Sequence, residues 1–247
     1  MSHHGLPCWY ELASADVTAS EGFYSAILGW TWADSGMPTM TYLLAKAEGD
    51  MVAGMMAAEH GMPVAWTFYV AVDDADALAA KAAALGATVI VPPTDIPNTG
   101  RFSILIDPQG ASFAVLQPLP GGTGGAFDQK KAGHGNWHDL ACADTAAALA
   151  FYGALFGWTV TQSMPMGPDM TYNIIAANGQ DIGGVFNATG APAWCVYFGS
   201  SSVQTATEAI KAKGGQIIYG PAEVPGGAYI TQATDPQGTR FAVVGPM

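Results

Sequence analysis

Residues 8–14 form an apolar and aromatic stretch that one acid interrupts. This pattern is typical of a strand that meets protein or ligand on both faces. Asp16 then provides an N-cap for a helix over residues 17–28, whose apolar positions fall on one face, and Gly29 ends that helix. Three further strands are predicted, at residues 30–33, 41–46 and 51–57.

This strand–helix–three-strand order, βαβββ, recurs along the chain. Eight residues of the first stretch reappear 128 positions later: Trp9, Leu12, Ala15, Asp16, Phe23, Tyr24, Gly29 and Trp30 become Trp137, Leu140, Ala143, Asp144, Phe151, Tyr152, Gly157 and Trp158. A fainter copy of each stretch lies 57 positions further on. In the first half it retains Trp66, Asp73 and Gly86, and the same positions in the second half are Trp194, Ser201 and Gly214. The sequence therefore predicts four modules, which we call the first (8–57), second (66–117), third (136–187) and fourth (194–244) module.

Two further features are repeated between the halves of the chain. Tyr42 and Gly54 return as Tyr172 and Gly184, 130 positions later, because two residues are added in the loop at 164–169. The turn sequence Asp-Pro-Gln-Gly occurs at residues 107–110 and again at 235–238. Its proline and glycine predict a structural hairpin turn in the second and fourth modules.

A Pro/Gly-rich stretch at residues 118–125 separates the two halves of the chain. We predict a first domain over residues 1–118, a Gly-rich linker over 119–135 and a second domain over 136–247. One βαβββ module leaves one sheet face bare, so each must pair with another copy. The sequence leaves open which modules pair.

Composition excludes several classes of partner. The 247 residues include 8 Lys plus Arg against 20 Asp plus Glu, for a net charge of −12, so a nucleic acid or an anionic membrane would be repelled. Three scattered cysteines support neither a disulfide framework nor structural zinc. The N-terminal residues lack the basic and apolar segments of a signal peptide, and no stretch is typical of a membrane span. We expect a cytoplasmic monomer or homodimer with a small-molecule partner.

On these motifs the chain resembles the vicinal oxygen chelate superfamily, which includes glyoxalase I, extradiol dioxygenases and bleomycin-resistance proteins. The likeness rests on the Asp-capped helix that ends at Gly29-Trp30, on its copy at Gly157-Trp158, and on the two Asp-Pro-Gln-Gly turns. The resemblance implies an α+β fold: four βαβββ modules form two glyoxalase/bleomycin-resistance/dioxygenase-type domains, each with curved mixed sheets around a cavity. It implies no single reaction, since the superfamily includes many chemistries and some pure binders.

Family enzymes hold a divalent metal in the cavity through His or Gln on the first strands and Glu on the last strands of their modules. Carried over to this chain, the first-strand positions fall on Trp9 and Trp137, and the last-strand positions fall on Ala114 and Ala242. His138 lies one residue from such a position and is expected to face the other way. From these residues we therefore predict no cofactor and no metal site. Only the resemblance to the family would imply a divalent metal.

The side chains predicted to face the cavity are aromatic and acidic. Glu11 and Asp139, two residues beyond Trp9 and Trp137, are candidate catalytic bases. The candidate ligand-binding residues are Trp9, Trp66, Trp137, Trp194, Tyr42, Tyr172 and Arg101. Two interpretations stay open for this set: the rings line a binding pocket for a cationic or aromatic molecule, or they fill the core while the acids accept structural hydrogen bonds.

Two functions follow as hypotheses. The first is a protein of the bleomycin-resistance type that binds a small molecule in an aromatic-lined cavity without the usual metal. The alternative is a metal-dependent lyase, isomerase or dioxygenase of the vicinal oxygen chelate type.

Overall fold

The computed structural model describes residues 3–38, 40–122, 125–167 and 170–247. Two residues of the predicted linker (123 and 124) and two of the longer loop (168 and 169) lie outside the described part. The first module comprises β1 (Pro7–Ser14), α1 (Val17–Leu28), β2 (Thr31–Asp34), β3 (Tyr42–Ala47) and β4 (Asp50–Ala57), and the second comprises β5 (Ala65–Ala71), α2 (Ala75–Ala84), β6 (Thr88–Ile96), β7 (Gly100–Ile106) and β8 (Ser112–Pro118).

The third module comprises β9 (Gly135–Cys142), α3 (Thr145–Phe156), β10 (Thr159–Gly167), β11 (Met170–Ala177) and β12 (Gln180–Asn187), and the fourth comprises β13 (Ala193–Gly199), α4 (Val203–Ala212), β14 (Gln216–Glu223), β15 (Tyr229–Thr234) and β16 (Arg240–Gly245). The predicted α+β class with four βαβββ modules is confirmed. No helix in the described ranges has the length and apolarity needed to cross a membrane.

The helix ends follow the local signals in the sequence. The carboxylate of Asp16 accepts a hydrogen bond from the backbone N–H of Ala19 at 3.0 Å, and Gly29 ends α1 in the left-handed conformation with φ of 69°. Asp144 and Gly157 do the same for α3. The N-cap of α2 is Asp74, whose carboxylate accepts a hydrogen bond from the backbone N–H of Ala77 at 2.9 Å.

Within each module the strands differ in direction, and the first strand runs parallel to the last. In the first module the order is β2-β3-β4-β1, with Glu11 opposite Gly54 between the parallel strands β1 and β4. The third module repeats this as β10-β11-β12-β9, with Asp139 opposite Gly184. In the second and fourth modules the strands are ordered β5-β8-β7-β6 and β13-β16-β15-β14.

The pairing that the sequence left open joins modules from different halves of the chain. One compact unit contains Met1–Cys8, Thr67–Thr123 and Trp137–Cys195, and the other contains Trp9–Trp66, Gly124–Asn136 and Val196–Met247. We call them the 2–3 unit and the 1–4 unit after the modules that they contain. Helices pack in the same combination, α2 against α3 and α1 against α4. The domain boundaries predicted from the sequence, at residues 118 and 136, stay a prediction.

A buried hydrogen-bond network explains why the first and fourth modules pack together. The hydroxyl of Tyr24 on α1 donates to Asp235 Oδ2 in the second Asp-Pro-Gln-Gly turn at 3.1 Å, and it accepts from Trp66 Nε1 at 2.9 Å. Asp235 Oδ1 also accepts the backbone N–H groups of Gln237 and Thr239. One carboxylate therefore shapes the turn and binds the helix of the other module.

The glutamine of the same turn completes this junction. Gln237 Oε1 accepts from the backbone N–H of Asp16 at 2.9 Å, and its Nε2 donates to the carbonyl of Asp16 at 3.0 Å and to Ser20 Oγ at 2.6 Å. Because these contacts satisfy polar groups at the start of α1, they fix where the helix begins relative to the turn. Ser14 Oγ also donates to this side chain.

The 2–3 unit contains the same junction. Tyr152 on α3 donates to Asp107 Oδ2 at 2.9 Å and accepts from Trp194 Nε1 at 3.0 Å. Gln109 bonds the backbone N–H and carbonyl of Asp144, each within 2.9 Å. The structural role predicted for the turns thus extends from the hairpin to the contact between modules.

Candidate functional site

Strand β1 presents two chemically different faces. Tyr10, Leu12 and Ser14 are buried on the face that packs into the core, where the Tyr10 ring meets Phe198 edge-on. The alternate residues Trp9 and Glu11 are half-buried on the opposite face. We call this surface, with Tyr42 of β3, the open face of the first module, and the equivalent surface with Trp137, Asp139 and Tyr172 the open face of the third.

Three predicted residues meet on the open face of the first module. Trp9 Nε1 donates to the hydroxyl of Tyr42 at 3.1 Å, and that hydroxyl donates to Glu11 Oε2 at 2.8 Å. The tyrosine thus links the indole to the carboxylate in one directed chain. We call each such group of three side chains a Trp–Tyr–acid cluster.

The third module contains the second Trp–Tyr–acid cluster. Trp137 Nε1 donates to the Tyr172 hydroxyl at 2.7 Å, which donates to Asp139 Oδ1 at 2.5 Å. Asp139 is 7% exposed. The ring of Tyr172 lies beside that of Phe186, with 5.9 Å between centroids and 23° between planes. At the position equivalent to Phe186 the first module has Met56, which pairs with Tyr42.

A glycine allows each tyrosine to reach its acid. Tyr42 lies on β3 and Glu11 on β1, and β4 runs between them. The Tyr42 ring crosses β4 at Gly54, where a Cβ would overlap the hydroxyl and the adjoining ring carbon. Gly184 makes the same room for Tyr172. A glycine within a strand weakens it, so its use at both positions marks a close approach.

The hydrogen bonds define what each cluster offers to a ligand. Burial raises the pKa of Tyr42 and Tyr172 well above 10, and the neighbouring acids Glu11 and Asp139 raise it further. Both tyrosines are therefore protonated at neutral pH. The indole N–H and tyrosine O–H donors are consumed inside the cluster, while the carboxylate and the phenol oxygen are acceptors. Each cluster consequently presents aromatic rings and a negative, accepting centre.

The other predicted binding residues do not join these clusters. Trp66 and Trp194 instead donate to the buried hydroxyls of Tyr24 and Tyr152, and their rings pack edge-on against those tyrosines. Arg101 lies at the protein surface, where it forms ion pairs with Asp76 and Asp95 at 2.7 and 2.8 Å. These contacts tie α2 to strands β6 and β7.

His138 lies on β9 between Trp137 and Asp139, which are two of the three members of the third-module cluster. Its ring packs on Phe68 with 4.8 Å between centroids, and its Nδ1 lies 2.7 Å from the carbonyl oxygen of Ile182. Burial lowers the pKa of His138 to about 4, so the ring is neutral at pH 7. Its contacts belong to the core.

We expect His138 to make stability fall on mild acidification. Between pH 6.5 and 4 the unfolded chain binds a proton that native His138 does not, so the free energy of unfolding decreases as the pH falls through this window. The loss attributable to this residue between pH 7 and 5 is about 2 kcal/mol. Urea unfolding of His138→Phe should show a correspondingly flatter pH dependence, while exposed His60→Gln should keep the wild-type slope. Equal slopes for wild type and His138→Phe would contradict the assignment.

The side chains at the metal-ligand positions implied by the resemblance do not fit a metal. Trp9 and Trp137 present an indole N–H, which is a donor only, and Ala114 and Ala242 present methyl groups. Within residues 3–38, 40–122, 125–167 and 170–247, no group of three His, Cys, Asp or Glu side chains is placed to hold an ion.

One polar pair escaped the sequence analysis. On the fourth module Gln232 Nε2 donates to the hydroxyl of Tyr197 at 2.5 Å, and Ala242 lies between their strands. In the second module the equivalent pair is Tyr69 and Ile104, on either side of Ala114. The sequence signal for this pair was Ala242, because a small residue opposite Tyr197 leaves room for a side-chain contact across the strand.

Comparisons with protein families divide the chain at its repeat. A family model described as "Glyoxalase-like domain" matches residues 9–116. A second model, "Glyoxalase/Bleomycin resistance protein/Dioxygenase superfamily", matches residues 134–243.

Two curated relatives align over nearly the full length. A protein of Mycobacterium tuberculosis named "Putative glyoxylase CFP32" is 33% identical over 251 residues, covering 98% of this chain and 95% of the relative. The "Anthracycline biosynthesis protein DnrV" of Streptomyces peucetius is 32% identical over 262 residues, covering 97% and 93%.

Solved structures with the same fold include metalloenzymes. The Mn(II)-bound glyoxalase from Novosphingobium aromaticivorans superposes with a TM-score of 0.68 at 19% identity, covering 98% of this chain and 81% of that one. A variant of homoprotocatechuate 2,3-dioxygenase from B. fuscum gives a TM-score of 0.70 at 17% identity, covering 98% and 72%. At these identities the likeness concerns the fold alone.

Proposed function

The chain belongs to the glyoxalase/bleomycin resistance protein/dioxygenase superfamily, and from this premise we propose that it binds a small organic molecule on the open faces of its first and third modules, without the metal that many family members use. One observation carries the proposal. The Trp–Tyr–acid cluster is built twice, at the strand position where family enzymes place a metal ligand.

The details of the cluster support binding over simple core filling. Trp9 and Trp137 are half-buried, so part of each indole is accessible to a ligand. Both modules also carry a glycine in mid-strand, which costs strand stability and gives the tyrosine its path to the acid. Stability sacrificed twice at equivalent positions is typical of a functional site.

The names of the relatives favour the alternative function, a metal-dependent lyase, isomerase or dioxygenase. The indoles and methyl groups at the ligand positions argue against it, so we derive no step through a metal. Glu11 and Asp139 as catalytic bases stay predictions. Each carboxylate already accepts a tyrosine hydrogen bond, so part of its accepting capacity is used within the cluster.

A fluorescence titration tests the proposal. A library of small aromatic and cationic compounds should include members that change the indole emission of the wild-type protein. In the double variant Tyr42→Phe/Tyr172→Phe, which loses the hydroxyl of each cluster, we expect the affinity of those compounds to fall at least tenfold, about 1.4 kcal/mol. The matched control is Tyr219→Phe, at a tyrosine that is 55% exposed on β14.

The control variant should bind as the wild type does, and all three proteins should melt within a few degrees of one another. If no compound alters the emission, or if the double variant binds as tightly as the wild type, the proposed function is wrong.

A further inference from the structure

The two open faces differ in charge. The first module carries one cationic side chain on its strands, Lys46 of β3. The third module carries none: between Lys131 and Lys211 the sequence contains no lysine or arginine. Its histidine, His138, is buried toward the core and neutral, because burial lowers its pKa to about 4. The carboxylate of Asp139 therefore lies in a module whose own side chains supply no positive charge at neutral pH.

Three aromatic side chains are linked to that carboxylate through Tyr172. Tyr172 donates to it, Trp137 donates to Tyr172, and Phe186 lies alongside the tyrosine ring. The faces of indole, phenol and phenyl rings carry negative electrostatic potential and attract cations, more strongly as water is excluded. A carboxylate next to such rings and the rings themselves attract a positive ligand through two independent effects, and both repel an anion.

We infer that the open face of the third module is an organic-cation site, which takes a ligand that carries an ammonium group on an aromatic or aliphatic body. The inference rests on the proposed function and narrows it to one ligand class and one module. The ammonium group is recognised by Asp139 together with the faces of Trp137, Tyr172 and Phe186. The body of the ligand packs on the rings.

The first module is the internal comparison. It keeps the Trp–Tyr–acid cluster, but methionine replaces the phenylalanine at position 56 and Lys46 lies on a strand of the same sheet. A thioether gives a weaker attraction for a cation than a ring face, and the lysine adds one positive charge to the same strand as Tyr42. The preference for cations should accordingly be smaller in the first module than in the third.

A charge series on a constant body tests the inference. The probes are 3-phenylpropylammonium, 3-phenylpropan-1-ol and 3-phenylpropanoate, titrated by calorimetry into the intact protein at pH 7. The indole N–H resonance of Trp137 reports occupancy of the third module. We expect the ammonium probe to bind there at least tenfold more tightly than the alcohol, and the carboxylate probe to bind more weakly than the alcohol.

Two variants locate the cause. Asp139→Asn should bring the ammonium and alcohol affinities within about threefold of each other, whereas Glu59→Gln, at an exposed carboxylate outside both clusters, should leave the difference intact. If Asp139→Asn does not fold, Phe186→Leu replaces it, since it keeps the carboxylate and should reduce the ammonium preference by removing one ring face.

The outcomes separate the two levels of the argument. Equal binding of the three probes, or tightest binding of the carboxylate, overturns the inference and leaves the proposed function standing. Absence of binding by every probe at millimolar concentration overturns the inference as well, and if the compound library also leaves the indole emission unchanged, the proposed function falls with it.

Discussion

Replacing Asp235 by alanine should lower the free energy of unfolding by about 3 kcal/mol or more, because it removes three hydrogen bonds from one carboxylate that is 3% exposed. The turn would lose the acceptor for two backbone N–H groups. The buried hydroxyl of Tyr24 would lose its acceptor while still receiving the indole hydrogen bond of Trp66. Each polar group left unsatisfied in the core adds its own desolvation cost.

Urea unfolding followed by far-ultraviolet circular dichroism gives the measurement. Tyr24→Phe, which deletes only the hydroxyl, should cost about 1 to 2 kcal/mol. Asp95→Ala, which removes an exposed ion pair with Arg101, should change the free energy of unfolding far less than either Asp235→Ala or Tyr24→Phe. In a double-mutant cycle between Tyr24 and Asp235 the effects should be strongly non-additive, since the two residues share a bond. A loss below 1 kcal/mol for Asp235→Ala would show that the turn does not hold the modules together.

The second large effect concerns binding. Gly184→Val should abolish the third-module cluster, because the new Cβ would overlap the Tyr172 ring and force it away from Trp137 and Asp139. Ligand affinity at that module should fall at least tenfold, about 1.4 kcal/mol. The fold should persist, since Tyr172 is half-buried and valine favours a strand.

Two controls bracket this result. Tyr172→Phe removes the hydroxyl without moving the backbone and should cause a comparable loss of binding. Gly22→Ala lies on α1, where a Cβ meets nothing within 4 Å, and should leave binding unchanged. It should stabilise the protein by up to about 1 kcal/mol, because alanine favours a helix. Wild-type affinity in Gly184→Val would refute the geometric role of the glycine.

Local signals predicted the modules well because each acts within a few residues. Asp16 caps the helix through a contact three residues away, and Gly29 ends it through its own backbone conformation. The repeat multiplied these signals, so that the weaker second and fourth copies became recognisable. Strands and helices with such local determinants can be derived from one sequence.

In the 1–4 unit the pairing of modules depends on contacts between residues more than 200 positions apart. Gln237 looks like an ordinary turn residue, and nothing near it in the sequence shows that its amide binds the backbone of Asp16. Tyr24 likewise has the spacing of any core tyrosine, although its hydroxyl reaches Asp235. Such contacts become visible only when the modules are packed.

The cluster lies between these two cases. Sequence alternation placed Trp9 and Glu11 on one face, and Tyr42 was a candidate on its own strand. Their connection required the path over Gly54, and the repeat of that glycine as Gly184 was the signal available in the sequence. By contrast, Trp66 and Trp194 were grouped with Trp9 and Trp137 only because they occupy equivalent strand positions. The structure shows that Trp66 and Trp194 donate to Tyr24 and Tyr152 in the core instead.

The central claim is that ligands bind at the Trp–Tyr–acid clusters, and the indole N–H resonances of the tryptophans test it most directly. Because Trp9 and Trp137 donate to the cluster tyrosines while Trp66 and Trp194 donate to core tyrosines, the four signals provide two reporters and two internal controls. During titration with 3-phenylpropylammonium, the account predicts that the Trp137 resonance shifts most, the Trp9 resonance less, and the Trp66 and Trp194 resonances hardly at all. Shifts confined to Trp66 and Trp194, or none at saturating concentrations of any compound that binds, would contradict it.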